Sequence, residues 1–95
     1  MNNTFSVTVV SPEAMLYKGS AREVIVPAMG GIMGILPRHA PLLATLKKGT
    51  VSIFADSSKK KLEIESGFIE VSGKKEEKAQ GSFVNLFVRM PRAEG

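Results

Sequence analysis

Large apolar residues alternate with small or polar ones along most of this chain, and this alternation limits the fold more than any other feature of the sequence. In residues 5–9 the odd positions hold Phe, Val and Val, whereas the even positions hold Ser and Thr. Successive side chains of a β-strand point to opposite faces, so the pattern predicts a half-buried strand. No stretch shows a helical period longer than a turn or two. The sequence therefore predicts an all-β fold without long helices.

The same period predicts further short strands with turn signals between them. These segments are residues 22–27, 49–55, 61–65, 67–72 and 82–89, with a short apolar stretch at 15–17 and a glycine-rich stretch at 29–36. We expect a hairpin around the turn at 56–58, an ordered proline loop at 37–41 and a mobile charged loop at 74–80. Short strands at this spacing favour an antiparallel β-sandwich or a flattened barrel, and 95 residues suffice for one domain, 1–95.

The aromatic residues bear on the main alternative, a small basic β-barrel that binds single-stranded nucleic acid. Such a barrel needs aromatic side chains on an exposed strand face, where bases can stack on them. Here the aromatics occur one or two per strand, and none stands among the lysines. We therefore predict that most of them pack in the core and that nucleic acid is not a partner. The six aromatic residues are Phe5, Tyr17, Phe54, Phe68, Phe83 and Phe87.

The net charge of +4 comes largely from clustered lysines. Eight of the nine lysines lie in residues 47–48, 59–61, 74–75 and 78, which are predicted turns. Solvated lysines at such positions are common and discourage edge-to-edge pairing of strands. The clusters are therefore interpreted as solvated loop ends.

Catalytic and metal chemistry find little support in the residues. The chain has no Cys and one His, too few ligands for a usual zinc site. His39 and Asp56 could join a serine in a triad, but no nucleophile-elbow motif frames any serine. The glycines at 30, 31 and 34 lack the Gly-Lys-Ser/Thr ending of a phosphate-binding loop. We expect no catalytic residue, no metal and no cofactor. We also expect neither a transmembrane segment nor a cleaved signal.

Residues 34–43, which read Gly-Ile-Leu-Pro-Arg-His-Ala-Pro-Leu-Leu, are the most specific motif in the chain. They resemble the Gly-Ile-x-Pro-x-His-Ala-Pro-Leu-Leu signature of the ATP synthase epsilon subunit family, called delta in mitochondria. The order of residues 16–19, 48–49 and 66–71 is also similar to the family's. The resemblance covers roughly residues 5 to 71.

This resemblance implies a flattened sandwich of about ten strands that acts as a non-catalytic rotor subunit. It implies docking on the gamma subunit and on the polar loops of the c-ring, with no homo-oligomer. The subunit would be peripheral, on the cytoplasmic face of a bacterial inner membrane or in an equivalent organelle compartment. An adaptor that shares the fold but binds something else is a further alternative. Because the sequence given stops at Gly95, before the family's C-terminal helical hairpin, we expect neither ATP binding nor self-inhibition.

A single surface patch is the predicted docking site. Ile25 is on the strand face opposite Val24 and Val26, where solvent would favour a polar residue, and large apolar residues follow on the glycine-rich loop. Exposed apolar clusters of this kind commonly mark interfaces. Ile32 stands where the family commonly has an acidic residue, so a charged ring contact does not transfer. The predicted residues are Ile25, Met29, Gly31, Ile32, Met33, Pro37, Arg38, His39, Ala40, Pro41 and Leu42.

Overall fold

Nine β-strands and no helix make up the residues that the computed structural model describes, 4–72 and 83–91. The predicted all-β fold is confirmed. The charged stretch 74–80, predicted to be a mobile loop, lies outside the described residues. The strands are β1 Phe5–Val10, β2 Met15–Ala21, β3 Glu23–Ala28, β4 Gly31–Ile35, β5 Leu42–Leu46, β6 Gly49–Phe54, β7 Lys59–Ile64, β8 Ser66–Ser72 and β9 Phe83–Arg89.

The strands form two layers of one curled sheet. The first layer has the order β2-β1-β9-β8-β5, and the second has the order β4-β3-β6-β7. The layers join where Ala28 of β3 pairs with Leu46 of β5. Every ladder is antiparallel except the one between β1 and β9, in which Val7 pairs with Val84. The predicted antiparallel arrangement is therefore wrong for this one ladder. Strand β9 lies between β1 and β8 and runs parallel to β1.

The core lies between the two layers and is built from the inward positions of all nine described strands. In β1 the buried residues are Phe5, Val7 and Val9, as the alternation predicts. In β6 they are Val51 and Ile53. Valine and isoleucine dominate because branched side chains pack well on a pleated, half-buried surface. No helix long and apolar enough to cross a membrane occurs among the described residues.

Three of the aromatic residues predicted to be core are exposed, so that prediction is wrong for them. They are Phe68, Phe83 and Phe87, with exposed fractions of 45%, 48% and 38%. Strand β9 is apolar on both faces, and only one face can meet the other layer. Val84, Leu86 and Val88 take that inward position, which turns Phe83 and Phe87 outward.

The lysines at 59–61 lie in a strand and not in a turn, which corrects the interpretation of that cluster. Strand β7 is the last strand in the sheet order, and Lys59 is its first residue. Charged side chains on an edge strand hinder pairing with another chain. The ammonium of Lys59 also lies over the ring of Phe54, 5.2 Å from its centroid. The cluster thus protects an edge, whereas 47–48 remains in the turn between β5 and β6.

Candidate docking site

The turn between β3 and β4 presents two large apolar side chains to solvent. Met29 is 62% exposed and Ile32 is 80% exposed. Gly30 and Gly31 lie between them, and Gly31 has a φ of 135°, a conformation that L side chains rarely adopt. A Cβ on either glycine would meet no atom within 4 Å. The glycines make the turn and leave the two apolar side chains uncovered.

The ladder between β3 and β4 decides which side chains join this surface. Ile25 pairs with Gly34, and Pro27 pairs with Ile32, so Ile25 and Ile32 lie on the same outer face. Gly34 has no side chain to cover Ile25, which is half-buried. Beyond the end of β4, Leu36 is exposed as well. We call Ile25, Met29, Ile32 and Leu36 the β4 surface.

Two residues of the predicted patch turn toward the interior. Met33 pairs with the buried Val26, and its side chain packs partly buried against the core. Leu42 begins β5 and also packs against the core. A strand alternates its side chains, so Ile32 and Met33 cannot share a face. The exposed surface is therefore narrower than the sequence predicts.

The loop from Pro37 to Leu42 leaves the far end of β4. The N–H of His39 donates to the carbonyl of Leu36 at 3.2 Å, which closes a turn around Arg38. Nδ1 of His39 lies 2.8 Å from the carbonyl of Ala40, and Ala40 and Pro41 are exposed. Gly31 begins β4 and Pro37 follows its end, so the predicted patch is divided between the two ends of β4.

Arg38 has a backbone conformation that is uncommon for a residue with a side chain. Its φ is 67°, in the left-handed region, and it is the only described residue other than glycine with a positive φ. Its side chain lines a depression with Arg22, Glu23, Leu36, Pro37 and Phe54. Arg22 in that depression pairs with Asp56 at 3.0 Å. No such ion pair is formed by Arg38 within residues 4–72 and 83–91.

A second apolar surface, which the sequence analysis missed, covers the outer face of the first layer. Phe68 of β8 pairs with Phe87 of β9, and their rings stack with centroids 4.9 Å apart. Phe83 is on the same face of β9, and Leu43 of β5 is 70% exposed beside β8. We call Leu43, Phe68, Phe83 and Phe87 the aromatic face.

The spacing of Phe68 and Glu70 in the sequence could have predicted this face. Glu70 is exposed, and residues two apart in a strand point the same way. Pairing of β8 with β9 then carries the outward direction to Phe87. Glu70 and Arg89 both stand near the stacked rings with opposite charges. The face thus lacks the excess of basic groups that single-stranded nucleic acid requires.

The residues considered for catalysis make polar contacts with other groups. Asp56, in the turn after β6, accepts from the guanidinium of Arg22, while His39 bonds the backbone at Ala40. Among the described residues no three His, Asp or Glu side chains are grouped so as to hold a metal ion. The described residues form a sandwich with two exposed apolar surfaces.

Comparison with known proteins identifies the family. The model of the ATP synthase Delta/Epsilon chain β-sandwich domain matches residues 4–76, so the chain belongs to this family. The ATP synthase epsilon chain of Leptospira interrogans is 48% identical over 69 residues, 73% of this chain and 54% of that protein. The epsilon chain of Chlorobium limicola is 40% identical over 75 residues, 78% of this chain and 85% of that protein. The chain thus spans about half the length of the Leptospira relative.

Solved structures support the same fold. A chain in the mitochondrial ATP synthase central stalk and c-ring of Tetrahymena thermophila matches with a TM-score of 0.70 and 15% identity, over 90% of this chain and 63% of that one. A chain in the Euglena gracilis mitochondrial ATP synthase matches with a TM-score of 0.76 and 17% identity, over 93% and 52%. The predicted resemblance and β-sandwich are confirmed, and the nucleic-acid alternative is not favoured.

Proposed function

We propose that this chain is a non-catalytic rotor subunit of the central stalk of an F-type ATP synthase. It docks on the gamma subunit and on the polar loops of the c-ring, and so couples ion flow to ATP synthesis. The names of its relatives and the central-stalk origin of a structural neighbour support this role. The complex would hold the chain peripherally, at the cytoplasmic face of the inner membrane or its organelle equivalent.

The observation that carries the proposal is the exposure of Ile32 and Met29 at the tip of the β3–β4 turn. Soluble proteins seldom place two large apolar side chains on a prominent turn unless a partner covers them. Methionine, with its flexible thioether chain, adapts to the shape of an opposing surface. We assign the β4 surface to the c-ring loops.

The aromatic face suits the larger and permanent contact with the gamma subunit. Aromatic residues are enriched at the centre of protein interfaces, where rigid rings bury much area at little entropic cost. Phe68 and Phe87 already hold each other in place by stacking. Two surfaces on different layers allow both partners to bind at the same time. A closely packed sandwich between them can transmit torque because tightly packed interiors deform little.

Replacing Phe87 by serine tests the assignment to gamma. We expect affinity for purified gamma subunit to fall about 30-fold, or ~2 kcal/mol, because a central aromatic anchor is lost. The free energy of unfolding should fall by no more than ~1.5 kcal/mol, since the ring is exposed and loses mainly its stacking partner. Calorimetric titration and denaturant melts measure the two quantities.

Ile32→Ser is the matched control, because it removes an exposed apolar side chain from the other layer. It should leave the affinity for gamma unchanged. Equal affinity of wild type and Phe87→Ser for gamma would refute the assignment of the aromatic face.

A further inference from the structure

We propose that the Arg38 end of β4 binds a carboxylate carried by the c-ring loop that docks on the β4 surface. This inference rests on the proposed docking function and adds the chemistry of the partner. The ligand is an acidic peptide segment whose apolar side chains lie along β4 and whose acidic side chain meets the guanidinium of Arg38.

The backbone of Arg38 is the first observation. A φ of 67° is free of steric cost for glycine but disfavours any residue with a Cβ. An arginine here bears that cost, and its guanidinium forms no ion pair with a carboxylate of the described residues. Residues in strained backbone conformations that no internal contact explains commonly have a functional role.

The charged side chains around the depression do not cancel. Arg22 is neutralised by Asp56 at 3.0 Å. On the outer face of the second layer, Glu23 pairs in register with Phe54, and Phe54 with Lys59, so one acid and one base flank that ring. With Arg38 the group holds three cations against two carboxylates, one of which, Glu23, lines the same depression, and so it keeps one net positive charge. Beside Arg38, the exposed Leu36 and the half-buried Phe54 offer apolar walls. A carboxylate next to an apolar side chain complements this combination.

The unpaired edge of β4 indicates where the partner segment would bind. Strand β4 pairs with β3 and, in the described part of the chain, with no other strand. Its sequence, GIMGI, has no charge and no proline, whereas the opposite edge of the layer is guarded by the lysines of β7. Edges without such protection invite another chain to cover them. Ile32 and Arg38 are six residues apart, roughly 20 Å in extended chain, so one partner segment can reach both.

Charge variants of Arg38 test the inference on the full chain with gamma and detergent-purified c-ring. Arg38→Glu should weaken binding to the ring at least roughly tenfold at low salt, because attraction becomes repulsion, and high salt should reduce the difference. Lys60→Glu makes the same change of charge on the opposite edge of the layer, and should bind like wild type. Arg38→Gly should lower affinity while leaving the denaturation midpoint no lower, since glycine suits the left-handed backbone.

Three results would overturn the proposal. Arg38→Glu could bind the ring as tightly as wild type or more tightly. Inorganic phosphate could compete in an Arg38-dependent manner, which would make the depression a phosphate site. Finally, Ile32→Asp could bind like wild type, in which case the docking function itself fails. If Ile32→Asp weakens binding while Arg38→Glu does not, only the carboxylate partner is rejected.

Discussion

Gly67→Ala is expected to lower the free energy of unfolding by about 2–4 kcal/mol. A Cβ at this position would clash with the carbonyl oxygen of Phe87 and lie 3.0 Å from Cα of Val88. Both atoms belong to the backbone of β9, so no side chain can rotate to relieve the clash. The strands β8 and β9 would have to separate at the centre of the first layer. Chemical denaturation followed by circular dichroism measures the loss.

Gly30→Ala provides the control for this substitution. A Cβ there meets nothing within 4 Å, and the change in unfolding free energy should stay within about 1 kcal/mol. A wild-type denaturation midpoint for Gly67→Ala would show that the two strands do not approach as closely as described.

Ile32→Asp and Met33→Asp are expected to have opposite effects although the residues are neighbours. Ile32 is 80% exposed, so its substitution should change stability by less than about 0.5 kcal/mol. It should nevertheless weaken binding of the c-ring by ~2 kcal/mol or more, about 30-fold, because an apolar anchor is replaced by a charge. Met33 packs against the core, and a carboxylate there should lower stability by ~2 kcal/mol or more.

Denaturant melts of the free domain and titration onto detergent-purified ring separate these outcomes. A large loss of stability in Ile32→Asp would show that the turn folds inward and would count against a docking surface.

Most strands could be predicted from the alternation, because each buries one face and the pattern repeats every second residue. The order of the strands could not be predicted, because the local sequences of β1 and β9 do not indicate that these two strands pair in parallel. The sequence also did not indicate which strands lie at the edges of the sheet. The lysines beginning at Lys59 suggest a turn by composition, yet they occupy an edge strand where one face and one side remain in water.

The exposed apolar surface at β4 was predictable in part. The glycine-rich turn indicated that Met29 and Ile32 would be uncovered, and the structure places them in solvent. Met33 was grouped with them because it is close in sequence, whereas period 2 directs it inward. Strand β9 is apolar on both faces, so its own sequence does not decide which face is buried. Only its pairing with β8, where Glu70 marks the outside, settles the orientation of Phe87.

Photo-crosslinking in the assembled ATP synthase tests the docking proposal most directly. A photoreactive amino acid replaces Ile32 in one version of the chain, Phe87 in a second and Lys60 in a third, and mass spectrometry identifies the products. We expect the photoreactive residue at position 32 to crosslink to the ring subunit and the one at position 87 to crosslink to the gamma subunit. The one at position 60, on the edge strand β7, should crosslink to neither. Assembled complexes in which Ile32 and Phe87 give no product with either subunit would contradict the docking function.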